Sequence, residues 1–331
     1  MSDRPHQKLR ELRPNTAFDG VYAIVNPQVG TTKAGKSFLK GLLKDASGEV
    51  PLRQWSFDEG RIGEVAATGF VWVTGRTEDY QGSIQVLVET IQSVNVEPSD
   101  LKNLLPVSSR DMDGMFGRVK AILGTLEHPG MRALADAYLG DAPLMAEFCT
   151  APAAMNVHHA FIGGLLEHTL NLLEGAERLL PLYPQLNRDL VLMGLFLHDM
   201  GKTQEMTWSR GFDYTEDGNL IGHIVRGAIN LQVKAALASK ASGQRLSASA
   251  VRALQHIILS HHEKLEYGAA RQPSTPEAMF VAMMDNLDAK MGVVLTAVER
   301  DRWGPGAPLF TEKVWALGTK LYRPDPLKQM D

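Results

Sequence analysis

The sequence predicts a multidomain protein in which a small all-β barrel precedes an all-α domain. Between residues 18 and 92, short runs of Val, Ile and aromatic residues alternate with turns, which is typical of β-strands. From residue 111 onward, apolar residues recur at helical spacing. A length of 331 residues also exceeds what one hydrophobic core usually supports, so we expect two domains.

The β-like runs lie at residues 20–26, 49–55, 69–74 and 83–91. The segment 37–44 fits a helix turn as well as a strand, because its apolar residues satisfy both periods. Five short strands with one small helix near residues 58–65 predict a Greek-key barrel of the oligonucleotide-binding type, the OB fold.

Amphipathic helices are predicted at residues 115–126, 131–138, 161–180, 190–198, 221–238, 248–260 and 276–300. The region before them is rich in Pro, Ser and Asp and predicts a linker. We therefore divide the chain into a tail (1–16), an OB-fold domain (17–95), a linker (96–110) and a helical domain (111–331).

Residues 30–37 match the phosphate-binding pattern G-x-x-x-x-G-K-[ST]. A working loop of this kind opens a long helix, and the segment between Ser37 and the next turn is too short for one. We interpret it as a hairpin loop whose Lys33 and Lys36 are candidate substrate contacts, with Trp55 as a stacking ring for bases. The alternative is that Trp55, Phe38 and Tyr80 fill the barrel core.

Charge and cysteine content limit the function and the compartment. Residues 1–95 contain equal numbers of basic and acidic residues, and the net charge of −4 argues against a protein that coats nucleic acid by bulk charge. The single cysteine, Cys149, excludes an internal disulfide and fits a reducing cytoplasm. We expect no membrane span and no signal peptide, and hence a cytoplasmic protein without membrane contact.

Metal-ligand residue types are concentrated in the helical region, where eight of the ten histidines lie between residues 158 and 262. Histidine is costly to bury without a partner, so this concentration favours a site over core packing. The candidate ligands are His168, His198, Asp199, His223, His261, His262 and Asp285. Imidazole and carboxylate groups on converging helices would suit manganese, iron, cobalt or zinc. Lys202 follows within one turn and is a natural complement of a phosphate.

The order of these residues resembles the HD-domain superfamily of metal-dependent phosphohydrolases, through segments such as LFLHDMGK and LSHHEKLEYG. More narrowly, the chain resembles the YhaM-type 3′–5′ exoribonucleases, in which an OB fold precedes an HD domain. The resemblance runs from about residue 18 to residue 291 and includes LKDASGEVPLRQW and TEDYQGSIQVLVETI. Two departures are visible: Glu263 stands where Gly is expected, and Ala269 and Ala270 replace a Ser-Pro turn.

This resemblance implies two divalent metal ions, with manganese favoured and cobalt, iron, zinc or magnesium as alternatives. The ligands of the first ion would be His168, His198, Asp199 and Asp285. The ligands of the second ion would be His223, His261 and His262, with Asp199 as a bridge.

The resemblance also implies roles around the metals. Asp199 and Lys202 would be catalytic, with Lys202 stabilising charge on the phosphate oxygens. We propose His158 and His159 as contacts to the substrate phosphate. Asp288 is expected to order its helix or a neighbouring histidine.

The leading hypothesis is a 3′–5′ exonuclease on single-stranded RNA, with single-stranded DNA as a second candidate substrate, assembled as a homo-oligomer. One alternative is an HD phosphohydrolase of nucleotides or cyclic dinucleotides. The Gly-Tyr-Pro signature of the cyclic-dinucleotide subgroup is absent from the sequence after His262. A binding module with a degenerate site is the non-enzyme alternative, and seven intact ligands argue against it.

Overall fold

A computed structural model describes residues 6–80, 83–97, 100–154, 159–208, 213–299, 308–324 and 327. Its contacts divide the chain into two compact units. The barrel unit comprises Met1–Ser109 with Thr207–Asp213, and the helical unit comprises Arg110–Met206 with Tyr214–Asp331. Among the described residues, no helix is long and apolar enough to cross a membrane.

Five strands of the barrel unit close into a barrel in the order β1-β2-β3-β5-β4. They are β1 (Ala17–Thr31), β2 (Ser37–Asp45), β3 (Gly48–Trp55), β4 (Phe70–Tyr80) and β5 (Ser83–Ser93). All neighbouring pairs are antiparallel except β3 with β5, which is parallel. The predicted OB-like barrel is therefore confirmed.

The ambiguous segment 37–44 forms strand β2, because β1 and β3 bind it on both edges. Its Leu39 and Leu43 are fully buried and pack with Tyr22 and Val73 in the barrel core. A short 3-10 turn and helix α1 (Ile62–Ala66) lie where the small helix was predicted.

Two segments outside the barrel also contribute to its unit. Leu9, in the predicted tail, is buried, and its backbone N–H donates to the carboxylate of Asp45. The predicted linker contains helix α2 (Leu101–Leu104), where Leu104 and the following Leu105 are buried. Buried apolar residues hold both segments more firmly than their Pro and Ser content indicated.

The regular elements of the helical unit are helices, apart from the two-residue strands β6 (Met206–Thr207) and β7 (Asp213–Tyr214), each of which has one residue in either unit. Its helices are α3 (Met112–Leu123), α4 (Pro129–Leu139), α5 (Ala142–Thr150), α6 (Gly164–Leu179), α7 (Arg188–Leu197), α8 (Lys202–Glu205), α9 (Glu216–Leu220), α10 (Gly222–Ser242), α11 (Ala248–Ser260) and α12 (Pro276–Glu299). The sequence did not predict α5, although Asp141 as N-cap and Pro143 in its first turn are helix-start signals.

Helix α7 is the central element of the helical unit. Asn187 caps its start by accepting a hydrogen bond from the N–H of Leu190. From Val191 to Leu197 every side chain is buried, as expected for a helix that is apolar on all sides. Helices α4, α6, α11 and α12 pack around it. The residues that follow its last turn are consequently delivered into the interior.

Candidate metal centre

His198 and Asp199 follow directly on the last turn of α7, and both side chains are almost completely buried. The backbone N–H of His198 still donates to the carbonyl of Gly194, so the residue continues the helix. Burial of an imidazole and a carboxylate side by side costs free energy unless fixed partners surround both. Neighbouring helices supply those partners.

The structure brings together all seven side chains predicted as metal ligands. His168 lies on α6, His223 at the start of α10, and Asp285 on α12, while His261 and His262 follow the end of α11. In one group, His168, His198 and Asp285 offer ligand atoms within 4.8 Å of one another. In a second group, His223, His261 and His262 do the same.

Asp199 lies between these two groups and faces each with a different oxygen. Its Oδ2 is 3.4 Å from His198 Nε2 and 3.8 Å from His168 Nε2. Its Oδ1 is 3.5 Å from His223 Nε2 and 3.4 Å from His261 Nε2. On the first side Asp285 Oδ1 adds a second carboxylate, 3.2 Å from His168 Nε2. This arrangement suits a carboxylate shared by two cations.

The Nδ1 atoms of the histidines are hydrogen-bonded away from Asp199. Those of His198, His261 and His262 lie 2.7, 2.7 and 2.9 Å from the carbonyl oxygens of Leu195, Ile258 and Tyr267. A carbonyl can only accept, so Nδ1 carries the proton and Nε2 keeps a free lone pair.

For the other two histidines, the hydrogen-bond partner of Nδ1 is a carboxylate. His168 Nδ1 lies 2.7 Å from Asp288 Oδ2, and His223 Nδ1 lies 2.8 Å from Glu205 Oε1. A carboxylate or carbonyl that orients a ligating histidine in this way is typical of metal sites.

The electrostatics also fit a cation. Burial raises the pKa of Asp199, but Lys202 and His198 hold it well below its ordinary value, so this carboxylate is ionised. Desolvation lowers the pKa of His262 to about 4, with a contribution from His261, so its imidazole is neutral near pH 7. A neutral imidazole is the form that binds metal.

Three buried atoms test whether the donor set fits a metal. Asp199 Oδ1, His223 Nε2 and His261 Nε2 are shielded from solvent and have no hydrogen-bond partner among the residues that the structure describes. Buried polar atoms are rarely left this way, because each unsatisfied group costs about 1–3 kcal/mol. All three are acceptors facing one another, and a divalent cation would satisfy them together.

Gly201 explains how α10 reaches the end of α7. A Cβ atom on Gly201 would lie 2.1 Å from the carbonyl oxygen of His223, a separation that real Cβ atoms do not reach. The absence of a side chain therefore lets the backbone of His223 approach Gly201, two residues after Asp199. The motif HDMGK contains this glycine, but its packing role was not visible in the sequence.

Lys202, predicted to contact phosphate, donates to Asp199 Oδ2 at 2.6 Å and is largely buried. Burial lowers its pKa, but Asp199 outweighs this and raises the pKa overall, so the ammonium is charged. A contact between Lys202 and a substrate phosphate stays a prediction.

The two histidines proposed as phosphate contacts differ in outcome. His158 lies outside the described residues. His159 places its Nε2 2.8 Å from Asp288 Oδ2, the oxygen that also receives His168. Asp288 Oδ1 accepts a further hydrogen bond from Asn171 at 3.1 Å. Asp288 thus orders a histidine, as the sequence predicted.

Two contacts near the centre were not predicted. Glu205, at the end of α8, accepts hydrogen bonds from His223. The two residues are 18 positions apart in the sequence, so only the tertiary fold reveals the pair. Glu263, one of the two departures from the family pattern, has a positive φ of 65° and accepts a hydrogen bond from Asn286 at 3.2 Å. The Glu263 contact joins the loop of His262 to α12.

In the barrel unit, Lys33 and Lys36 are exposed in the turn between β1 and β2. This turn leads into a strand and not into a helix, so the phosphate-loop hypothesis is wrong. Trp55 is 50% exposed and its ring centroid lies 5.3 Å from that of Phe38. The guanidinium of Arg53 lies 5.2–5.7 Å from the rings of Trp55, Phe38 and Tyr80. These aromatic residues form a surface cluster and do not fill the core.

Residues 165–290 match the family model described as the HD domain. The matched range contains all six side chains of the two groups and also Asp199. An HD domain indicates a metal-dependent phosphohydrolase. The chain is thus an OB-like barrel followed by a helical HD domain.

Two of the solved structures that this chain resembles show weak likenesses. The second OB-fold domain of replication protein A from Methanococcus maripaludis is 19% identical, with a TM-score of 0.21, over 28% of this chain and 96% of that one. RecG bound to a three-way DNA junction is 14% identical, with a TM-score of 0.24, over 86% of this chain. This chain spans only 36% of the RecG chain.

Proposed function

We propose that this protein is a metal-dependent 3′–5′ exonuclease that acts on single-stranded RNA, with single-stranded DNA as an alternative substrate. The observation that carries the proposal is the position of Asp199, whose two oxygens face two groups of histidines. A buried carboxylate in this position is suited to bridge two divalent cations, an arrangement used to cleave phosphodiester bonds.

We assign one ion to the first group and one to the second, with Asp199 shared. The first group is His168, His198 and Asp285, the second group is His223, His261 and His262, and Asp199 faces both. When bound, two such ions supply an activated water and neutralise the attacking and leaving oxygens. The family resemblance favours manganese, and these N/O ligands also accept cobalt, iron, zinc and magnesium.

The chain itself supplies fixed charge and orientation. Lys202 has three N–H donors, of which one meets Asp199, so the others can meet non-bridging phosphate oxygens. Its burial strengthens this contact, because the effective dielectric constant is low there. We also propose that His158 and His159 contact the substrate phosphate.

The barrel surface supports a polymeric substrate. Lys33 and Lys36 can contact backbone phosphates, and the half-exposed ring of Trp55 can stack on a base. Stacking of this kind requires unpaired bases, which favours a single strand over a duplex. Arg53 beside the ring adds positive charge at the same surface.

Incubation of end-labelled single-stranded RNA and DNA with protein and Mn²⁺ tests the proposal. We expect products that shorten stepwise from the 3′ end and release nucleoside 5′-monophosphates. Asp199→Ala should abolish both the activity and the binding of metal, while circular dichroism shows retained helix content. Glu147→Ala, which removes an exposed carboxylate on α5, should change neither.

The alternative of a mononucleotide or cyclic-dinucleotide phosphohydrolase gives a different result in the same assay. It predicts turnover of nucleotides with Mn²⁺ and no shortening of a labelled strand. A barrel with exposed basic and aromatic residues favours the polymer.

We also propose that the protein acts in the cytoplasm as a homo-oligomer. Helix α12 supports the assembly, because its outer face carries apolar side chains that are 43–55% exposed at every fourth position. They are Met279, Met283, Leu287, Met291 and Leu295. An exposed apolar stripe of this length is typical of an interaction surface. Light scattering coupled to size exclusion should give a mass above one chain, and Leu287→Glu should reduce it.

A further inference from the structure

The proposed metal-binding histidines differ in the kind of acceptor to which Nδ1–H donates. Three histidines donate Nδ1–H to backbone carbonyls, whereas His168 and His223 donate to the carboxylates of Asp288 and Glu205. An imidazole whose Nδ1–H donates to a carboxylate is a stronger electron donor to a metal than an imidazole whose Nδ1–H donates to a carbonyl. Each group therefore contains one histidine backed by a negative charge.

Glu205 holds His223 through two hydrogen bonds to one oxygen. Its Oε1 lies 2.8 Å from His223 Nδ1 and 3.0 Å from the backbone N–H of the same residue. Only 11% of each side chain is exposed. The pair fixes the ring and its backbone together, which directs Nε2 towards Asp199 Oδ1.

The backbone of Glu205 is itself fixed by tight packing. Its carbonyl accepts the N–H of Thr215 at 2.9 Å. A Cβ atom on Gly218 would lie 2.1 Å from the same carbonyl oxygen, so helix α9 approaches α8 closely. The carboxylate of Glu205 therefore starts from a backbone with little freedom to move.

The two groups also differ in negative charge. The first group contains the carboxylate of Asp285 and the second contains three imidazoles, while Asp199 faces both groups. A dication held mainly by neutral imidazoles has little charge compensation from its own ligands. Glu205 adds a second negative charge, besides the shared Asp199, in contact with this histidine-only group.

We propose that Glu205 is a positioning residue that orients His223 and supplies charge compensation for the ion of the histidine-only group. This inference rests on the two-ion centre of the proposed function and goes beyond it by assigning different outer supports to the two ions. Asp288 has the corresponding contact with His168 in the first group. Loss of Glu205 should therefore weaken one ion and spare the other.

The test measures metal binding, without reference to activity, in full-length wild type, Glu205→Gln, Glu205→Ala and Asp288→Asn. Mn²⁺ content is determined by mass spectrometry after dialysis, and each Kd by titration calorimetry. We expect two ions in the wild type. In both Glu205 variants, the affinity for one ion should fall about 10–100-fold while the affinity for the other is retained.

Glu205→Gln separates the role of Glu205 from simple loss of packing, because glutamine keeps the shape and one acceptor oxygen but lacks the charge. Thermal unfolding in EDTA should match that of the wild type for this variant. Co²⁺ absorption spectra add a signature of the ligand field. Glu205→Gln and Asp288→Asn should alter different bands, since they act on different ions.

The outcomes separate this inference from the proposed function. Wild-type protein that binds two ions, with Glu205 variants that keep both at unchanged Kd, overturns the role of Glu205 alone. Equal loss of both ions in the Glu205 and Asp288 variants also overturns it, because the supports would not be specific. Wild-type protein that binds no Mn²⁺ overturns the two-ion centre and this inference together.

Discussion

The helical unit and the barrel unit present their chemical groups in opposite ways. In the helical unit, His168, His198 and Asp199 are buried and held by fixed partners. In the barrel unit, Lys33 and Lys36 are exposed and Trp55 is half exposed.

The difference has an energetic reason. A buried polar group must be satisfied by specific neighbours, so groups such as Asp199 act as one unit and a single change disturbs several contacts. Exposed groups have water as an alternative partner, and their contributions to binding are smaller and nearly additive. We therefore expect large effects from changes in the helical unit and graded effects from changes in the barrel.

The largest effect in this set is expected at Lys202. Lys202→Met should lower kcat about 10²–10³-fold, as is typical when one preorganised charge contact is removed. Affinity for Mn²⁺ should not weaken, because a positive charge is removed beside Asp199. Steady-state kinetics with calorimetry measure both. Lys240→Met, at an exposed site on α10, is the control. Unchanged kcat in Lys202→Met would leave the lysine a purely structural partner of Asp199.

A second prediction concerns close packing in the helical unit. Gly201→Ala should destabilise the fold by about 1–3 kcal/mol and reduce the Mn²⁺ content, because its Cβ displaces His223. Chemical denaturation and metal analysis measure the two effects. The control is Gly117→Ala, where a Cβ would meet no atom of the described residues within 4 Å beyond its own helix backbone and chain neighbours. This substitution should stabilise helix α3. Equal stability of the two variants would contradict the packing role of Gly201.

The barrel surface provides a smaller and separable effect. Trp55→Ala should weaken binding of single-stranded RNA by about 1–3 kcal/mol, the range for one lost stacking contact. Fluorescence anisotropy gives this Kd, and turnover of a small phosphodiester should be unchanged. Tyr183→Ala removes a ring of the helical unit that is also 50% exposed and should leave the Kd unaltered. A Trp55→Ala protein with wild-type affinity would show that the cluster does not contact the strand.

The smallest effect concerns a buried charge within the barrel unit. A hydrogen bond to Asp45 raises the pKa of His6 above 6.5. The pair therefore contributes stability fully below pH 6.5, and this contribution is lost as pH rises through the folded pKa. The melting temperature should fall over that range, and His6→Asn should remove this part of the pH dependence. A wild-type profile that is flat from pH 6 to 9 would contradict the pairing.

Periodicity in the sequence was sufficient for the type of most elements. The helical repeat around His168 and around Asp285 correctly predicted that both lie on helices. The same reasoning could not decide residues 37–44, because a short apolar run fits two periods. Pairing with β1 and β3 makes this segment a strand, and such pairing depends on residues outside the segment itself.

By itself the sequence determined that a helical domain follows a small barrel along the chain. It also determined the types and the order of the residues available for a metal centre in that helical domain. Only the tertiary structure decided which oxygen of Asp199 faces which histidines, that Glu205 holds His223, and that Trp55 points outward. The physical reason is that a local period sets the face of a helix or strand. The partner of a buried donor or acceptor is set by the packing of elements that are distant in sequence.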